Sequence, residues 1–328
     1  LFDALVRAAA RGVKVRVLTD HLAHLLNKPR AATAAFLNQH DIEWHAMLPL
    51  RPLRRQWQRP DMRNHRKLVV IDGRVGFSGS QNLINPTYNS RKNIKRGLHW
   101  VDLMMRSEGP VVLELAAVFI TDWYSETHEL LTIDDTPVIV TDSAEHFDAQ
   151  VLPSGPTFDA DNNLKLFATL LHKADRRISL TSPYFVPEES ILLALTSAAQ
   201  RGLEVELFAS EVGDQALVYH AQRSYYEALL RAGVRIFLYR APAVLHAKHF
   251  SIDDDVAVVG SSNMDIRSFS LNMEVSMLVH GRAFVDDLRT VEDAYRANSV
   301  ELHLDEWLTR SRRERARDNL ARLTSAIQ

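Results

Sequence analysis

The stretch NHRKLVVIDGRVGFSGSQN, residues 64–82, decides the fold because a second stretch repeats its plan later in the chain. The second stretch, LHAKHFSIDDDVAVVGSSN, spans residues 245–263 with the same internal spacing. Each copy combines a His-x-Lys-x4-Asp pattern in a strand-like run with a Gly-Ser-x-Asn turn after a short second strand. A plan that occurs twice predicts two similar halves, each with one such pair of strands.

A second repeat extends the likeness between the halves. The segment LFDALVRAAARGVKVRVLTD (residues 1–20) aligns with ILLALTSAAQRGLEVELFAS (residues 191–210), and each is typical of an amphipathic helix, a glycine cap and an alternating strand. In the second half this unit follows RRISLTSPYFVPEES (residues 176–190), which predicts a buried strand and a proline-bounded turn. The counterpart of that strand would lie before Leu1, so we expect the first half to lack its first strand.

These repeats predict an α/β fold in which each half is a mixed β-sheet flanked by helices. We expect a first domain over residues 1–140 and a second over residues 141–328, related by a pseudo-twofold axis with the functional site at their interface. The stretch RSRRERARDNLARL (residues 310–323) predicts a basic helix at the end of the second domain. A length of 328 residues is ample for two such cores.

Composition excludes several classes of protein. The formal net charge is −2, so no overall field draws the chain to nucleic acid. The absence of cysteine excludes disulfides and thiolate metal sites. No run of about 18 apolar residues occurs, so the sequence predicts no membrane-spanning helix. Two locally basic stretches, residues 50–67 and residues 90–96, either approach an anionic membrane surface or are solvated loops.

The repeated motif supplies the groups that cleavage of a phosphodiester requires. Side chains alternate along a strand, so His65 and Lys67 should share one face, as should His246 and Lys248. One neutral imidazole can attack phosphorus while a second, protonated imidazole gives its proton to the departing alkoxide. The two ammonium groups would offset the negative charge that grows on the phosphoryl oxygens, so we expect neither a metal nor a cofactor.

The residues that follow each His-x-Lys pair have separate expected roles. We expect four side chains of the Gly-Ser-x-Asn turns to contact the phosphate, namely Ser80, Asn82, Ser261 and Asn263. Asp72 and Asp253 complete the two catalytic motifs but lie an odd number of residues from their histidines. They should therefore face elsewhere, near the strand ends, and order the turns there.

The two motifs resemble the paired motifs of the phospholipase D superfamily, and the chain is most similar to its bacterial cardiolipin synthases with two motifs. The likeness covers nearly the whole chain and includes three further stretches: SPYFVPEE (residues 182–189), QRSYYEALLRAGVRIFLY (residues 222–239) and NMDIRSFSLNMEV (residues 263–275). The resemblance implies that the two motifs share one active site and act through a covalent phosphohistidine.

The resemblance also implies an acidic residue behind each histidine, which bonds the far ring nitrogen and fixes the tautomer. Glu274 occupies that place in the second half, and the segment HWVDLMMRSEGPVV (residues 99–112) nominates Asp102 in the first. Val101 stands where the superfamily commonly has arginine. We assign His65 as the nucleophile and His246 as the acid, although the symmetry of the motifs leaves the reverse assignment open.

On this resemblance the expected reaction is phosphatidyl transfer between two phosphatidylglycerol molecules, which yields cardiolipin and glycerol. Hydrolysis of phospholipids through the same intermediate is the alternative, because the outcome depends on how well water is excluded. A nuclease and a non-catalytic lipid-binding protein are further alternatives. The resemblance implies phosphatidylglycerol and an anionic membrane surface as partners, no nucleic acid, and a place at the bacterial cytoplasmic membrane. It leaves the oligomeric state open.

Overall fold

The computed structural model describes most of the chain as alternating helices and strands. The described residues are 1–22, 28–51, 56–88, 90–133, 146–158 and 161–323. Their helices are α1 (Phe2–Ala10), α2 (Lys28–Gln39), α3 (Arg91–Lys95), α4 (Val111–Thr127), α5 (Asn162–Lys173), α6 (Glu189–Gln200), α7 (Ala216–Ala232), α8 (Ile266–Ser270), α9 (Arg282–Ala297), α10 (Leu304–Leu308) and α11 (Arg312–Arg322). Their strands are β1 (Arg16–Asp20), β2 (Glu43–Met47), β3 (Leu50–Arg51), β4 (Gln56–Trp57), β5 (Leu68–Ile71), β6 (Val75–Gly79), β7 (His99–Val101), β8 (Met104–Glu108), β9 (Asp148–Ser154), β10 (Arg177–Thr181), β11 (Phe185–Val186), β12 (Glu204–Ser210), β13 (Arg235–Tyr239), β14 (Ala243–Leu245), β15 (His249–Ile252), β16 (Val256–Gly260), β17 (Met264–Asp265), β18 (Glu274–His280) and β19 (Ser299–Leu302).

The second half contains an eight-stranded mixed sheet in the order β19-β13-β12-β10-β15-β16-β18-β9. Strands β10, β12 and β13 run parallel, whereas the other neighbours in the sheet pair antiparallel. Ile178 and Leu180 of the central strand β10 are fully buried, and α5, α6 and α7 pack over this face. Helix α9 covers the opposite face. Burial of both apolar faces is the main force that stabilises this half.

The first half repeats the strand order of the second but is divided into two sheets. Strands β1 and β2 pair in parallel, as their counterparts β12 and β13 do. Strands β5, β6 and β8 pair antiparallel, as β15, β16 and β18 do. In the second half β10 lies between β12 and β15 and pairs with both, but no described strand lies between β1 and β5.

A cavity of about 1,010 Å³ lies between β1 and β5, and we call it the β1–β5 slot. Its walls include Leu18 of β1, Leu68 of β5 and Phe119 of α4. The slot lies where the second half has β10. From the sequence we expect the first half to lack the counterpart of this strand. The expected domain boundary near residue 140 falls outside the described residues.

The basic helix expected at the end of the second domain is α11, and it packs against α7. Ser311 and Glu314 form a capping box that fixes where the helix begins. Asp318 is buried and accepts hydrogen bonds from His220 of α7 at 2.8 Å and from Arg310 at 2.7 Å. Neither this helix nor any other in the described ranges is long and apolar enough to cross a bilayer.

The two halves meet through reciprocal backbone hydrogen bonds. The N–H of His65 donates to the carbonyl of Met273 at 2.9 Å, and the N–H of His246 donates to the carbonyl of Val101 at 2.7 Å. Beside the second contact, β7 of the first half pairs in parallel with β14 of the second. The pseudo-twofold relates the two contacts, so each His-x-Lys motif begins at the interface between the halves.

Candidate active site

Each His-x-Lys pair lies in an extended segment that leads into a strand. His65 and Lys67 precede β5, and His246 and Lys248 precede β15. Both lysines are buried, and each donates to the carbonyl oxygen of its own motif histidine, at 2.6 Å for Lys67 and 2.7 Å for Lys248. This bond holds each ammonium group beside its histidine.

The acidic residues pair with the histidines across the interface. Nδ1 of His65 donates to the two oxygens of Glu274 at 2.9 Å and 3.0 Å, and Nδ1 of His246 donates to Asp102 at 2.7 Å. The sequence nominated these two carboxylates but placed each behind the histidine of its own half. The structure corrects that pairing, because each half supplies the carboxylate for the histidine of the other. A carboxylate holds the proton on Nδ1, so Nε2 is left as the reactive nitrogen of each ring.

The motif serines support the carboxylates. Ser80 is fully buried and donates to Asp102 at 2.7 Å. Ser261 is also fully buried and donates to Glu274 at 2.5 Å, and Ser268 donates a further bond to Glu274 at 3.0 Å. The expected contact of Ser80 and Ser261 with phosphate does not fit these surroundings, because both hydroxyls bond the carboxylates. Sequence reasoning missed Ser268, whose only signal was its place in the third stretch of the family likeness.

The two asparagines remain the candidates for phosphate contact. Asn82 is half-buried, and its amide donates to the hydroxyl of Tyr88 at 2.6 Å. Asn263 is buried, and no described residue hydrogen-bonds its side-chain oxygen. A buried acceptor without a donor is costly, so a water or a ligand hydroxyl group that donates to this oxygen would stabilise it, while the NH2 group of the same amide is the part that can donate to a phosphate.

The aspartates that complete the motifs lie at the far ends of their strands. Asp253 follows β15 and accepts backbone N–H bonds from Asp175, Arg176 and Arg177 at 3.1, 2.8 and 2.9 Å. These three residues lead into β10, so Asp253 anchors the start of that strand. Asp72 follows β5 and lines the β1–β5 slot at the corresponding position. Both aspartates adopt positive φ, which places them in turns and away from the histidines.

Burial dominates the electrostatics of the four motif bases. It lowers the pKa of Lys67 to about 8 and the pKa of Lys248 well below its usual value, and the charge of Lys67 adds to the effect on Lys248. Burial lowers the pKa of His246 to about 3, with contributions from Lys248 and Lys67. Burial also lowers the pKa of His65, to which both lysines contribute. Each lysine acts on the histidine of the other half, so the four groups share one site.

Positive neighbours keep the two carboxylates ionised. Burial alone would raise the pKa of Glu274, but His65 and Lys67 outweigh it and hold the pKa below its usual value. Burial opposes ionisation of Asp102 in the same way, and the hydrogen bond from His246 keeps its pKa low. The pKa values of both lysines stay lowered, so the attraction of these carboxylates does not fully offset the cost of burying the two ammonium groups. An anion placed between the lysines would therefore be stabilised.

Two tyrosines flank His246, and sequence reasoning assigned a role to neither. The ring of Tyr88 lies 6.1 Å from the imidazole and the ring of Tyr184 lies 6.5 Å from it, both edge-on. The hydroxyl of Tyr184 donates to Asp214 at 3.0 Å, which fixes that ring. Aromatic walls of this kind limit the water around His246. Tyr184 lies in the first stretch of the family likeness, but nothing in the sequence pointed to Tyr88.

Two mixed α/β halves that bring paired His-x-Lys motifs into one site define the phospholipase D class of proteins. The family described as "Cardiolipin synthase, PLD-like domain" matches residues 1–106 and 167–293, and the chain belongs to that family. The matched ranges include both His-x-Lys pairs and both partner carboxylates.

Curated relatives and a solved structure are similar to this chain over nearly all of its length. It is 33% identical over 327 residues to cardiolipin synthase A of Proteus mirabilis (strain HI4320), covering 99% of this chain and 66% of the relative. It is 34% identical over 311 residues to cardiolipin synthase A of Wigglesworthia glossinidia brevipalpis, covering 94% of this chain and 62% of the relative. The chain thus spans less than two thirds of the length of these relatives. A phosphatidylserine synthase of Haemophilus influenzae Rd KW20 shares the fold, with a TM-score of 0.73, 14% identity, and coverage of 99% of this chain and 86% of that chain.

Proposed function

We propose that the protein is a phosphatidyltransferase that makes cardiolipin from two phosphatidylglycerol molecules. The crossed pairing of His65 with Glu274 and of His246 with Asp102 supports this most directly, because it frees two Nε2 atoms beside two buried ammonium groups. A phosphodiester is the substrate that uses two such bases and a positively charged pocket in one reaction. The similarity to cardiolipin synthase A proteins supports the choice of lipid.

In the first half-reaction the phosphodiester of one phosphatidylglycerol binds between the two motifs. The proposed donors to its phosphoryl oxygens are Lys67, Lys248, Asn82 and Asn263. Nε2 of His65 forms a bond to phosphorus as the bond from phosphorus to the glycerol oxygen breaks. His246, protonated on Nε2, gives this proton to the glycerol oxygen, so glycerol leaves and the phosphatidyl group stays on His65.

In the second half-reaction neutral His246 takes the proton from a hydroxyl group of a second phosphatidylglycerol. The hydroxyl oxygen forms a bond to phosphorus, the bond from phosphorus to His65 breaks, and cardiolipin leaves. Both histidines return to their starting states. Burial lowers the pKa of His246, and the charges of Lys248 and Lys67 add to that effect. The bound substrate anion offsets these two charges and so favours the protonated ring at the start of the cycle.

Incubation of the protein with phosphatidylglycerol as the sole lipid tests the reaction. We expect cardiolipin and glycerol in equal amounts, and we expect His65→Ala and His246→Ala each to lower turnover about 10³-fold or more. His172→Ala removes an exposed imidazole from α5 and is the matched control. Phosphatidic acid as the sole lipid product would assign hydrolysis instead, and no turnover of phosphatidylglycerol would contradict the proposal.

Trapping of the intermediate tests the assignment of the nucleophile. A p-nitrophenyl ester of phosphatidic acid has a leaving group that needs no proton, so His246→Ala protein should still form the adduct but release it slowly. We expect mass spectrometry to locate the phosphatidyl group on His65. An adduct on His246 in His65→Ala protein would reverse the two roles.

Phosphatidylglycerol is anionic and resides in bilayers, so the proposed reaction takes place at an anionic membrane surface. We accordingly propose that the protein associates with the cytoplasmic membrane of a bacterium. A nucleic acid partner is not favoured by the net charge of −2.

A further inference from the structure

Residues 90–96 form a basic ridge that the proposed reaction does not use, and we call it the α3 ridge. It consists of α3 and its two capping residues, and it contains no acidic residue. Its four basic residues are Arg91, Lys92, Lys95 and Arg96. All four are exposed, and none forms an ion pair with another residue in the described ranges.

Part of the charge of the other basic stretch, residues 50–67, is neutralised by ion pairs inside the fold. Arg66 is buried in an ion pair with Asp122, and Arg63 pairs with Asp20 at 3.3 Å. Residues 52–55 of that stretch lie outside the described part of the chain. The α3 ridge is therefore the stronger candidate for contact with an external anionic surface.

Packing fixes the α3 ridge to the wall of the active site. Asn93 faces inward from α3 and is buried. Trp100 packs in a small core with Val244 of the second half and lies 4.6 Å from the ring of Tyr88. Tyr88 in turn flanks His246. Asn93 also donates to the carbonyl of Thr87 at 3.4 Å, so the ridge is held beside the segment that carries Tyr88.

Apolar side chains accompany these charges. Ile94 in the middle of α3 is 57% exposed, and Leu217 at the start of α7 is 48% exposed. The guanidinium of Arg96 donates to the carbonyl of Gly213 at 3.4 Å and joins the ridge to the loop before α7. Aliphatic side chains among basic ones suit an anionic bilayer, where the apolar groups enter the headgroup layer and the charges meet phosphate. A nucleic acid backbone would use only the charges.

We propose that the α3 ridge, together with Leu217, is the surface that seats the protein on an anionic lipid bilayer. The inference rests on the proposed function, because it names the lipid surface from which the site takes its substrate. In this orientation the side of the site beside Tyr88 and Tyr184 faces the bilayer. The headgroup of phosphatidylglycerol then reaches the lysines while its acyl chains stay near the membrane.

Co-sedimentation with vesicles tests the ridge separately from turnover. The protein should bind phosphatidylcholine vesicles that contain phosphatidylglycerol and should not bind pure phosphatidylcholine vesicles. The double variant Arg91→Gln/Lys95→Gln should bind about 25-fold more weakly, because each basic residue near such a surface strengthens binding roughly fivefold. The double variant Arg312→Gln/Arg313→Gln makes the same change of charge on exposed residues of α11 and should bind as the unchanged protein does.

The aliphatic contribution has its own test. Ile94→Ser should weaken binding to the same vesicles even at high salt, where the ionic attraction is screened. Circular dichroism and thermal melting would verify that each variant is folded.

Two results would overturn the proposal: equal vesicle binding by the ridge and α11 variants, or ridge variants that lose affinity for duplex DNA but keep affinity for vesicles. Ridge-dependent binding without turnover of phosphatidylglycerol would uphold the ridge as a membrane surface while the proposed function fails.

Discussion

At the scale of single residues, the tautomer of each motif histidine depends on a carboxylate that is remote in sequence. Glu274 is 209 residues from His65, and Asp102 is 144 residues from His246. Both carboxylates are kept ionised by the positive groups around them, and both also receive a bond from a buried serine. The reactivity of one half is therefore set by residues of the other.

Replacement of Glu274 by glutamine tests this dependence. The amide can also donate to Nδ1, which favours the wrong tautomer of His65, so kcat should fall by about 10³–10⁴-fold. The rate of adduct formation with the p-nitrophenyl substrate would report the loss directly. Glu301→Gln, a carboxamide change in β19 far from the motifs, is the control. An unchanged kcat for Glu274→Gln would contradict the role given to the crossed pair.

The buried lysines predict how activity depends on pH. The pKa of Lys67 is about 8 in the folded protein, against a usual value of 10.5. Since the protonated ammonium group binds the phosphate in the proposed reaction, kcat/KM should fall as the pH rises above about 8. Lys67→Arg should be less active but should lose the part of the fall that Lys67 causes, because a guanidinium stays charged throughout the window. Any fall that remains in this variant would come from Lys248, whose pKa is also lowered. A kcat/KM that stays level through this window in the unchanged protein would contradict the prediction.

The lowered pKa of Lys67 also predicts how stability depends on pH. Stability should rise with pH where kcat/KM falls. Between pH values of about 8 and 10.5 the unfolded chain holds the proton on Lys67 while the folded protein has released it. The unfolded state binds more protons there, so the contribution of Lys67 to the free energy of unfolding should rise with pH across this window. Urea unfolding of the unchanged protein and of Lys67→Met at several pH values measures this contribution as a difference. A difference that does not change with pH would contradict the lowered pKa.

The motif spacing was enough to predict which residues meet, but not how they are arranged. Two His-x-Lys pairs in a duplicated strand have to converge if the halves are symmetric, and the structure places them in one site. The crossed carboxylates could not be inferred in the same way, because their positions depend on how the halves dock. The roles of Ser80 and Ser261 were misjudged since a Gly-Ser turn can support a carboxylate as readily as a phosphate.

At the scale of the elements, the internal repeat offers the same residue in two settings. Asp253 anchors the three residues that lead into β10, whereas Asp72 lines the β1–β5 slot. Among the described residues no backbone N–H is bonded to Asp72. A comparison of Asp253 with Asp72 therefore separates the stability that comes from anchoring β10 from the stability that comes from the turn itself.

Alanine substitution at the two positions measures that difference. Asp253→Ala should lower the free energy of unfolding by about 1.5 kcal/mol, a typical value for the loss of charge-assisted bonds to backbone that are partly exposed to water. Asp72→Ala should cost clearly less, because no strand start depends on it. Urea denaturation of both variants decides the question, and equal losses would contradict the anchoring role of Asp253.

In the two repeated segments, the observed helices and strands agree with those that the sequence predicts. The segments 1–20 and 191–210 each form a helix, a turn and a strand, as their alternation of apolar and polar residues predicts. The pairing of β7 with β14 had no such signal. It depends on contacts between the halves, which local periodicity does not contain.

At the scale of the whole molecule, the β1–β5 slot divides the first sheet and leaves one edge of each flanking strand unpaired within the described structure. The second half shows what fits such a position: β10, parallel to β12 and antiparallel to β15. A synthetic peptide with the sequence of residues 174–186 should therefore enter the slot, parallel to β1 and antiparallel to β5.

Hydrogen exchange and thermal melting measure this binding. At a peptide concentration of about 100 times its Kd, the stabilisation should be about 2.7 kcal/mol. The amides of β1 and β5 should gain protection, while those of β12 and β15 stay unchanged. A peptide of the same composition in scrambled order is the control, and equal protection by both peptides would contradict the assignment of the slot.

The crossed hydrogen bonds between the histidines and the carboxylates also restrict how the proposed enzyme can exchange lipids. A hinge motion that separated the halves would take Glu274 away from His65 and Asp102 away from His246 at the same time. The proposed covalent intermediate on His65 would also lose His246, its proton donor and acceptor, before the second lipid reacts. In the proposed reaction, the lipids would therefore enter and leave the site while the two halves stay docked. For that reaction we expect release of cardiolipin, rather than a motion of the two halves, to limit the rate of steady-state turnover.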